Sequence, residues 1–165
     1  MSEPTANAKA MSIIVTKGTL DWAYPPFILA TTAAAMGLDV TMFFTFYGLN
    51  LLKKKLDLGI STLGNPGMEM PMGGMHVKMP NIVSMLPGVD AMATTMMKNL
   101  IKKKGVASIE ELREMAVEAD VKMIACQMTL DLFEYKRDDL IDGPTLGGAA
   151  SYIEVAQKAG INLYI

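Results

Sequence analysis

The sequence predicts an α/β protein with three layers, in which helices cover both faces of a mostly parallel sheet of four or five strands. Two observations indicate this class. Short runs of apolar and β-branched residues at 11–16, 40–46 and 121–125 are apolar on both faces, as in buried parallel strands. Segments with helical character separate these runs, and strands that alternate with helices favour a doubly wound sheet.

The first strand, residues 11–16, ends at a turn over 18–21, and a helix follows. Pro25 and Pro26 are expected in the first turn of this helix, where a missing N–H costs little. Gly37 is expected to end the helix, because glycine readily adopts the left-handed conformation that follows a helix.

The second strand, residues 40–46, precedes a short predicted helix over 47–55. Residues 57–88 are rich in methionine, glycine and proline and show no regular periodicity, so we expect a long loop there. Loops of that length are usually functional or disordered. Periodicity returns in a predicted helix over 89–104, and a capping-box pattern at 108–111 predicts the start of another.

The third strand, residues 121–125, leads into a helical turn that begins at Gln127. A last helix is expected over 145–159, with the glycines at 147–148 inside it, and residues 161–165 are expected to form a terminal strand. In such a fold the loops that follow the parallel strands meet at one edge of the sheet, where ligands bind.

The chain has 165 residues, which predicts one domain over 11–165 after a flexible tail at 1–10. The formal net charge of -2 and the pI near 5.4 argue against nucleic acid as a partner, because phosphate binding needs clustered positive charge. Lysine runs at 53–55 and 102–104 are explained by compensation of helix dipoles. The alternative is a docking patch for an acidic protein.

The single cysteine cannot form an intrachain disulfide, so a reducing, cytoplasmic setting is expected. Residues 1–10 lack the apolar stretch of a secretory signal. Residues 27–52 are hydrophobic, but threonines and a turn at 37–39 interrupt them, which predicts two buried elements and no membrane span. A positive mean hydropathy of +0.28 indicates surface that an oligomer would bury.

Cys126 follows the third strand directly, at the carboxyl end of the strand and before a helix. Free N–H groups at a helix start favour an anion and lower a thiol pKa, and the thiolate is the reactive form of cysteine. Burial among apolar residues would raise the pKa instead. The alternative to a reactive thiol is an inert small residue that fills the end of the strand.

Residues 68–79 contain five methionines and the only histidine of the chain, His76. Thioethers and imidazole suit Cu(I), so a copper site is one hypothesis for this segment. An adaptable apolar lid or an oligomer contact is the other, because methionine fills irregular gaps. His76 is also a candidate base or orienter for Cys126.

The sequence contains no nucleophile elbow, phosphate-binding P-loop, dinucleotide-binding glycine motif or C-x-x-C motif, and no cofactor is expected. Lys17 lies in the first strand–helix loop, which should open at the same edge of the sheet as Cys126. It is either a solvated loop charge or a cation that helps to hold an anionic sulfur species.

Several stretches carry a resemblance over nearly the whole chain, from 11 to 165: Gly18-Thr19-Leu20-Asp21 before Ala33-Ala34-Ala35-Met36-Gly37, then FFTFYGLN at 43–50, Met85-Leu86-Pro87-Gly88, and ACQMT at 125–129. Together they resemble the DsrE/DsrF-like sulfur-relay family, in the branch often labelled peroxiredoxin family. The resemblance implies a self-associating α/β domain, flavodoxin-like in outline. It also implies exchange of sulfur with rhodanese-like and TusA-like proteins.

The carrier cysteine of that family corresponds to Cys126, which would hold sulfur as a persulfide or a thiosulfonate. Some relatives carry a second cysteine, and its absence here means that release requires an external acceptor thiol. The methionine-rich loop is also similar to a feature of this branch. A peroxidase function finds no support, because no threonine–proline–cysteine context surrounds Cys126.

The favoured hypothesis is therefore a cytoplasmic sulfur carrier with low turnover of its own, in which the Cys126 thiolate attacks the outer sulfur of a donor. The residues expected to hold the bound anion are Lys17, Gly18, Gln127, Met128, Thr129 and His76. Two other hypotheses remain open at this point. One is a Cu(I)-binding module built on residues 68–79, and the other is a structural oligomer subunit with an inert cysteine.

Overall fold

The computed structural model describes residues 7–61, 69–72, 75–78, 82 and 86–165. They fall into two compact units. The first comprises the described residues of Met1–Gly18, Trp22–Leu56 and Ile109–Ile165, and the second those of Thr19–Asp21 and Asp57–Ser108. Among the described residues, no helix is both long enough and apolar enough to cross a membrane.

The described elements, in chain order, are β1 (Asn7–Val15), α1 (Leu20–Ala35), β2 (Asp39–Phe44), a first 3-10 helix (Phe46–Leu52), β3 (Glu69–Met72), β4 (Met75–Lys78), α2 (Val89–Lys103), α3 (Ile109–Glu118), β5 (Lys122–Cys126), α4 (Gln127–Leu132), a second 3-10 helix (Arg137–Asp139), β6 (Thr145–Gly147), α5 (Ala149–Ala156) and β7 (Ala159–Tyr164).

The first unit is built on a five-stranded sheet in the order β6-β5-β2-β1-β7, and every pair of neighbouring strands is parallel. In the centre, Ile14 pairs with Phe43, and Phe43 pairs with Ile124. Helices lie on both sides of the sheet, which confirms the predicted three-layer α/β/α class. Strands β1, β2 and β5 all end at the same edge because they run in the same direction.

Two consecutive phenylalanines in β2 show how the faces are covered. Successive side chains of a strand point to opposite faces. Phe44 packs against Phe27 of α1, with ring centroids 5.9 Å apart, while Phe43 stacks on Tyr152 of α5 at 5.2 Å. Each fully buried ring stabilises the fold by about 1.5–3 kcal/mol. Cys126 lies in the cluster with Phe43 and Tyr152, on the α5 face.

The first 3-10 helix, which follows β2, is held at its end by Arg113 of α3. The guanidinium Nη1 donates to the carbonyl oxygens of Leu51 at 3.1 Å and Lys53 at 2.7 Å. Burial lowers the pKa of Arg113, against the opposing effects of Glu110 and Glu114. Because this buried arginine satisfies carbonyls at the end of the 3-10 helix, it ties that helix to α3.

The second unit contains regular structure inside the segment 57–88 that the sequence predicted as a loop. Strands β3 and β4 form an antiparallel hairpin in which Met72 pairs with Met75. Four-residue strands with proline and methionine give no clear period-two signal, so the pattern did not indicate them. Residues 62–68, 73–74, 79–81 and 83–85 of this segment lie outside the described residues.

The predicted helix over 145–159 was wrong in its first part. Residues Thr145–Gly147 form β6, and only Ala149–Ala156 is helical. Strand β6 pairs with β5, and Cys126 is the partner of Gly147. The pairing satisfies backbone N–H and C=O groups of β5 that would otherwise lack hydrogen bonds. A Cβ on Gly147 would lie 2.8 Å from Ile124 Cγ2, so the glycine permits close packing in a strand and not in a helix.

The prolines of α1 were also misplaced by the sequence analysis. The helix begins at Leu20, so Pro25 and Pro26 lie inside it and not in its first turn. Proline has no N–H, so the carbonyls of Asp21 and Trp22 lack the helical hydrogen bond that a residue four positions later would normally donate. The error arose because the turn at 18–21 was expected to delay the helix start.

Candidate functional site

Cys126 is the last residue of β5 and directly precedes α4. Its side chain is buried, with 3% of its surface exposed. In the ladder between β2 and β5, Phe44 pairs with Ala125, so Thr45, the residue directly after β2, comes level with Cys126. The thiol therefore lies at the carboxyl edge of two adjacent parallel strands, as the sequence predicted.

The turn after β2 is locked against the end of β1. Thr45 N–H donates to the carbonyl of Val15 at 3.0 Å, and Gly48 N–H donates to that of Thr16, also at 3.0 Å. A Cβ on Gly48 would lie 2.2 Å from the Val15 oxygen, so only glycine fits there. Between them, Phe46 adopts a left-handed conformation with φ of 47°, which is uncommon outside glycine.

Two threonine hydroxyls face each other across the strand ends. Thr129 Oγ1 is 3.2 Å from Thr45 Oγ1 and accepts the N–H of Phe46 at 3.1 Å. Thr129 is fully buried, whereas Thr45 is half-buried. The left-handed backbone at Phe46 thus directs a main-chain N–H at a buried hydroxyl of α4.

These groups affect the balance between the thiol and thiolate forms of Cys126. Burial by itself raises the pKa of the thiol, but hydrogen bonding from the hydroxyl and N–H of Thr129, the hydroxyl of Thr45 and the N–H of Met128 outweighs it, and the net pKa is lowered. The Cys126 side chain makes no capping hydrogen bond with α4 in the structure. We infer that these donors tighten onto the sulfur once it ionises, because a thiolate accepts hydrogen bonds more strongly than a thiol.

The lowered thiol pKa predicts a dependence of stability on pH. Below the ordinary value of 9.0 and above the lowered folded-state pKa, the unfolded chain keeps a thiol proton that the folded protein has released. The free energy of unfolding of the wild type, relative to Cys126→Ser, should therefore rise with pH up to 9.0 and lose this contribution as pH falls through the folded pKa. Urea unfolding of both proteins across this range measures it. A difference that stays constant with pH would contradict a lowered pKa.

Other residues predicted from sequence are placed as follows. The Lys17 ammonium lies 3.1 Å from the ring centroid of Trp22, and Lys17 is not among the described groups that shift the pKa of Cys126. A Cβ on Gly18 would lie 2.2 Å from the Tyr47 oxygen, so this glycine permits close packing of two loops. The Gln127 side chain is exposed and donates to Asp131 Oδ1 at 2.8 Å.

His76 lies in β4, opposite Pro71. Its predicted role as a base or orienter for Cys126, and the copper site proposed for residues 68–79, concern side chains outside what the structure describes. In the described part of the chain, no group of three or more histidine, cysteine, aspartate or glutamate residues could hold a metal ion.

Sequence reasoning missed Thr45 and Phe46 as parts of the site. The signal was available in part, because Thr45 follows a predicted parallel strand and such residues meet at one edge of the sheet. The alignment of Phe44 with Ala125 needed the strand order, which the sequence pattern does not supply. The positive φ of Phe46 had no sequence signal, since phenylalanine rarely adopts it.

The surface next to Cys126 in the chain is apolar and exposed. In α4, Met128 is 63% exposed and Leu132 is 60% exposed, one helical turn apart. In the turn after β2, Tyr47 is 63% exposed, and its ring stacks on Phe133 with centroids 5.6 Å apart. Exposed apolar side chains that cluster in this way mark surfaces that contact other molecules.

A model of the DsrE/DsrF/DrsH-like family matches residues 7–164. The chain belongs to this family. It is 60% identical over 157 residues to the sulfur carrier protein DsrE2 of Allochromatium vinosum, which covers 95% of this chain and 98% of that protein. It is also 34% identical over 166 residues to the uncharacterized protein YrkE of Bacillus subtilis, covering 98% and 99% of the two chains. The resemblance predicted from the sequence motifs is thereby confirmed, and both relatives match over nearly their full length.

Proposed function

We propose that this family member is a cytoplasmic sulfur carrier whose Cys126 holds sulfur covalently and passes it to the thiol of a partner protein. The observation that carries the proposal is a single cysteine, at the carboxyl edge of the sheet, whose pKa is lowered by hydroxyl and N–H donors despite burial. The name of the relative that is 60% identical supports the same role.

In the loading step, the Cys126 thiolate attacks the outer sulfur of a donor persulfide. A new S–S bond forms at Cys126, the bond within the donor breaks, and the donor thiolate leaves with the electron pair. With thiosulfate as the donor, the thiolate attacks the outer sulfur in the same way, the S–S bond of thiosulfate breaks, and sulfite leaves with the electron pair. The bound sulfur keeps its oxidation level throughout, so the step needs no external oxidant.

Release follows the same chemistry in reverse. An acceptor thiolate attacks the outer sulfur, and Cys126 leaves as a thiolate. With one cysteine in the chain, no internal thiol can displace the sulfur as a disulfide. We propose rhodanese-like donors and TusA-like acceptors as partners, a homo-oligomer as the assembly, and the exposed apolar residues around α4 as the surface that these proteins contact.

Intact-protein mass spectrometry tests the proposal. The wild type is reduced, incubated separately with thiosulfate, tetrathionate and a persulfide-loaded rhodanese, and then mixed with a TusA-like acceptor. We expect a mass gain that reductant removes and that passes to the acceptor. Since the chain contains one cysteine, such a gain locates the sulfur at Cys126. A thiol shown to be reduced that gains no mass from any donor would refute the proposal.

A further inference from the structure

The two hydroxyls beside Cys126 share a limited number of protons. Each threonine has one O–H hydrogen, and their oxygens are 3.2 Å apart, so one hydrogen lies between them. The Phe46 N–H occupies one acceptor position of Thr129 Oγ1. When Thr45 donates to Thr129, the oxygen of Thr129 accepts two hydrogen bonds, and its own hydrogen is free for the sulfur.

This arrangement strengthens the donor that faces Cys126. A hydroxyl that accepts hydrogen bonds becomes a better donor, because the chain of bonds is polarised in one direction. In the alternative orientation Thr129 donates to Thr45, and the hydrogen of Thr45 is then the one left for the sulfur, in line with the contribution of both hydroxyls to the lowered pKa of Cys126. In both orientations one hydrogen lies between the two oxygens and one is left for the sulfur, so the pair supplies a donor either way.

We propose that Thr45 is a positioning residue, whose hydroxyl pairs with that of Thr129 so that one hydroxyl hydrogen of the pair stays directed at the sulfur of Cys126, with the left-handed turn at Phe46 holding the pair in place. The inference rests on the proposed function and deepens it. The step that gains most is release, because Cys126 is then the leaving group and a hydrogen bond stabilises the negative charge that develops on its sulfur.

Thr45→Val tests this role, because valine keeps the shape of threonine and removes the hydroxyl. Thr41→Val is the matched control, since Thr41 is a buried threonine of β2, four residues before Thr45, and lines a cavity of about 370 Å³ with Lys122 and Thr145. Four residues along a strand separate the two sites by about 13 Å. Thr45→Ser restores the hydroxyl and should restore the wild-type behaviour.

Two readouts are needed. The first is the ultraviolet absorbance of the thiolate as a function of pH, and we expect the titration of Thr45→Val to move to higher pH while Thr41→Val follows the wild type. The second is the rate of sulfur transfer from the loaded protein to an acceptor thiol. We expect this rate to fall about tenfold in Thr45→Val at a fixed pH, the size of effect of one lost hydrogen bond to the charge that develops on the leaving sulfur.

An unchanged titration in Thr45→Val would overturn the inference, and so would an equal shift in Thr41→Val, since that would show a general effect of the substitution on the fold. These outcomes are separate from failure of the proposed function. If the wild type accepts no sulfur, the carrier role fails, whereas the thiolate titration of Thr45→Val still decides the role of Thr45.

Discussion

Replacing Cys126 with serine is expected to abolish sulfur loading completely and to leave the sheet folded. A serine hydroxyl stays protonated at neutral pH and is a poor nucleophile unless a base activates it. Burial of the new hydroxyl in the cluster with Phe43 and Tyr152 costs about 1–2 kcal/mol. That is a modest part of the stability of about 5–15 kcal/mol that is typical of folded proteins.

Mass spectrometry after incubation with each donor, together with circular dichroism, measures both parts of this expectation. Cys126→Ala is the matched variant, because it removes the sulfur without adding a polar group. A reducible mass gain in the serine variant would show that the sulfur is held elsewhere, and the carrier role of Cys126 would be wrong. Loss of the folded signal in both variants would show instead that the thiol is needed for packing.

Replacing Gly48 with alanine is expected to produce the largest loss of stability in the loops around the site. The added Cβ would lie 2.2 Å from the oxygen and 2.7 Å from the carbon of the Val15 carbonyl, which is main chain and cannot rotate away. Forcing an atom into such a contact costs roughly 3 kcal/mol. For a protein of this size that corresponds to a fall in Tm of about 10 °C.

The same substitution should disturb the sulfur site. The Val15 carbonyl that the new methyl group would strike also accepts the N–H of Thr45, so a shift there moves the hydroxyl that faces Thr129. Sulfur loading should slow at a temperature where the variant is still folded. Gly148→Ala is the control, because a Cβ at Gly148 meets no atom within 4 Å. Equal melting temperatures for Gly48→Ala and the wild type would contradict the tight contact.

The sequence predicted those parts of the site that depend on residues close together in the chain. Cys126 follows an apolar run and precedes a helix, and both are visible as patterns within ten residues. Thr129 lies within reach because it is in the first turn of that helix. The role of Lys17 stays a prediction, since a loop position gives no direction for a long side chain, and in the structure its ammonium lies over the Trp22 ring.

The sequence by itself determined the α/β class, the central strands and the position of the cysteine, because apolar runs and helix signals depend on neighbours in the chain. The assignment of Thr145–Gly147 as a strand, the approach of Gly48 to Val15, and the meeting of Thr45 with Thr129 were decided only by the tertiary structure. Each depends on which strands lie side by side and in what register. Residues 84 positions apart in the chain, as Thr45 and Thr129 are, share a hydrogen bond only because β2 and β5 pair in parallel and end together.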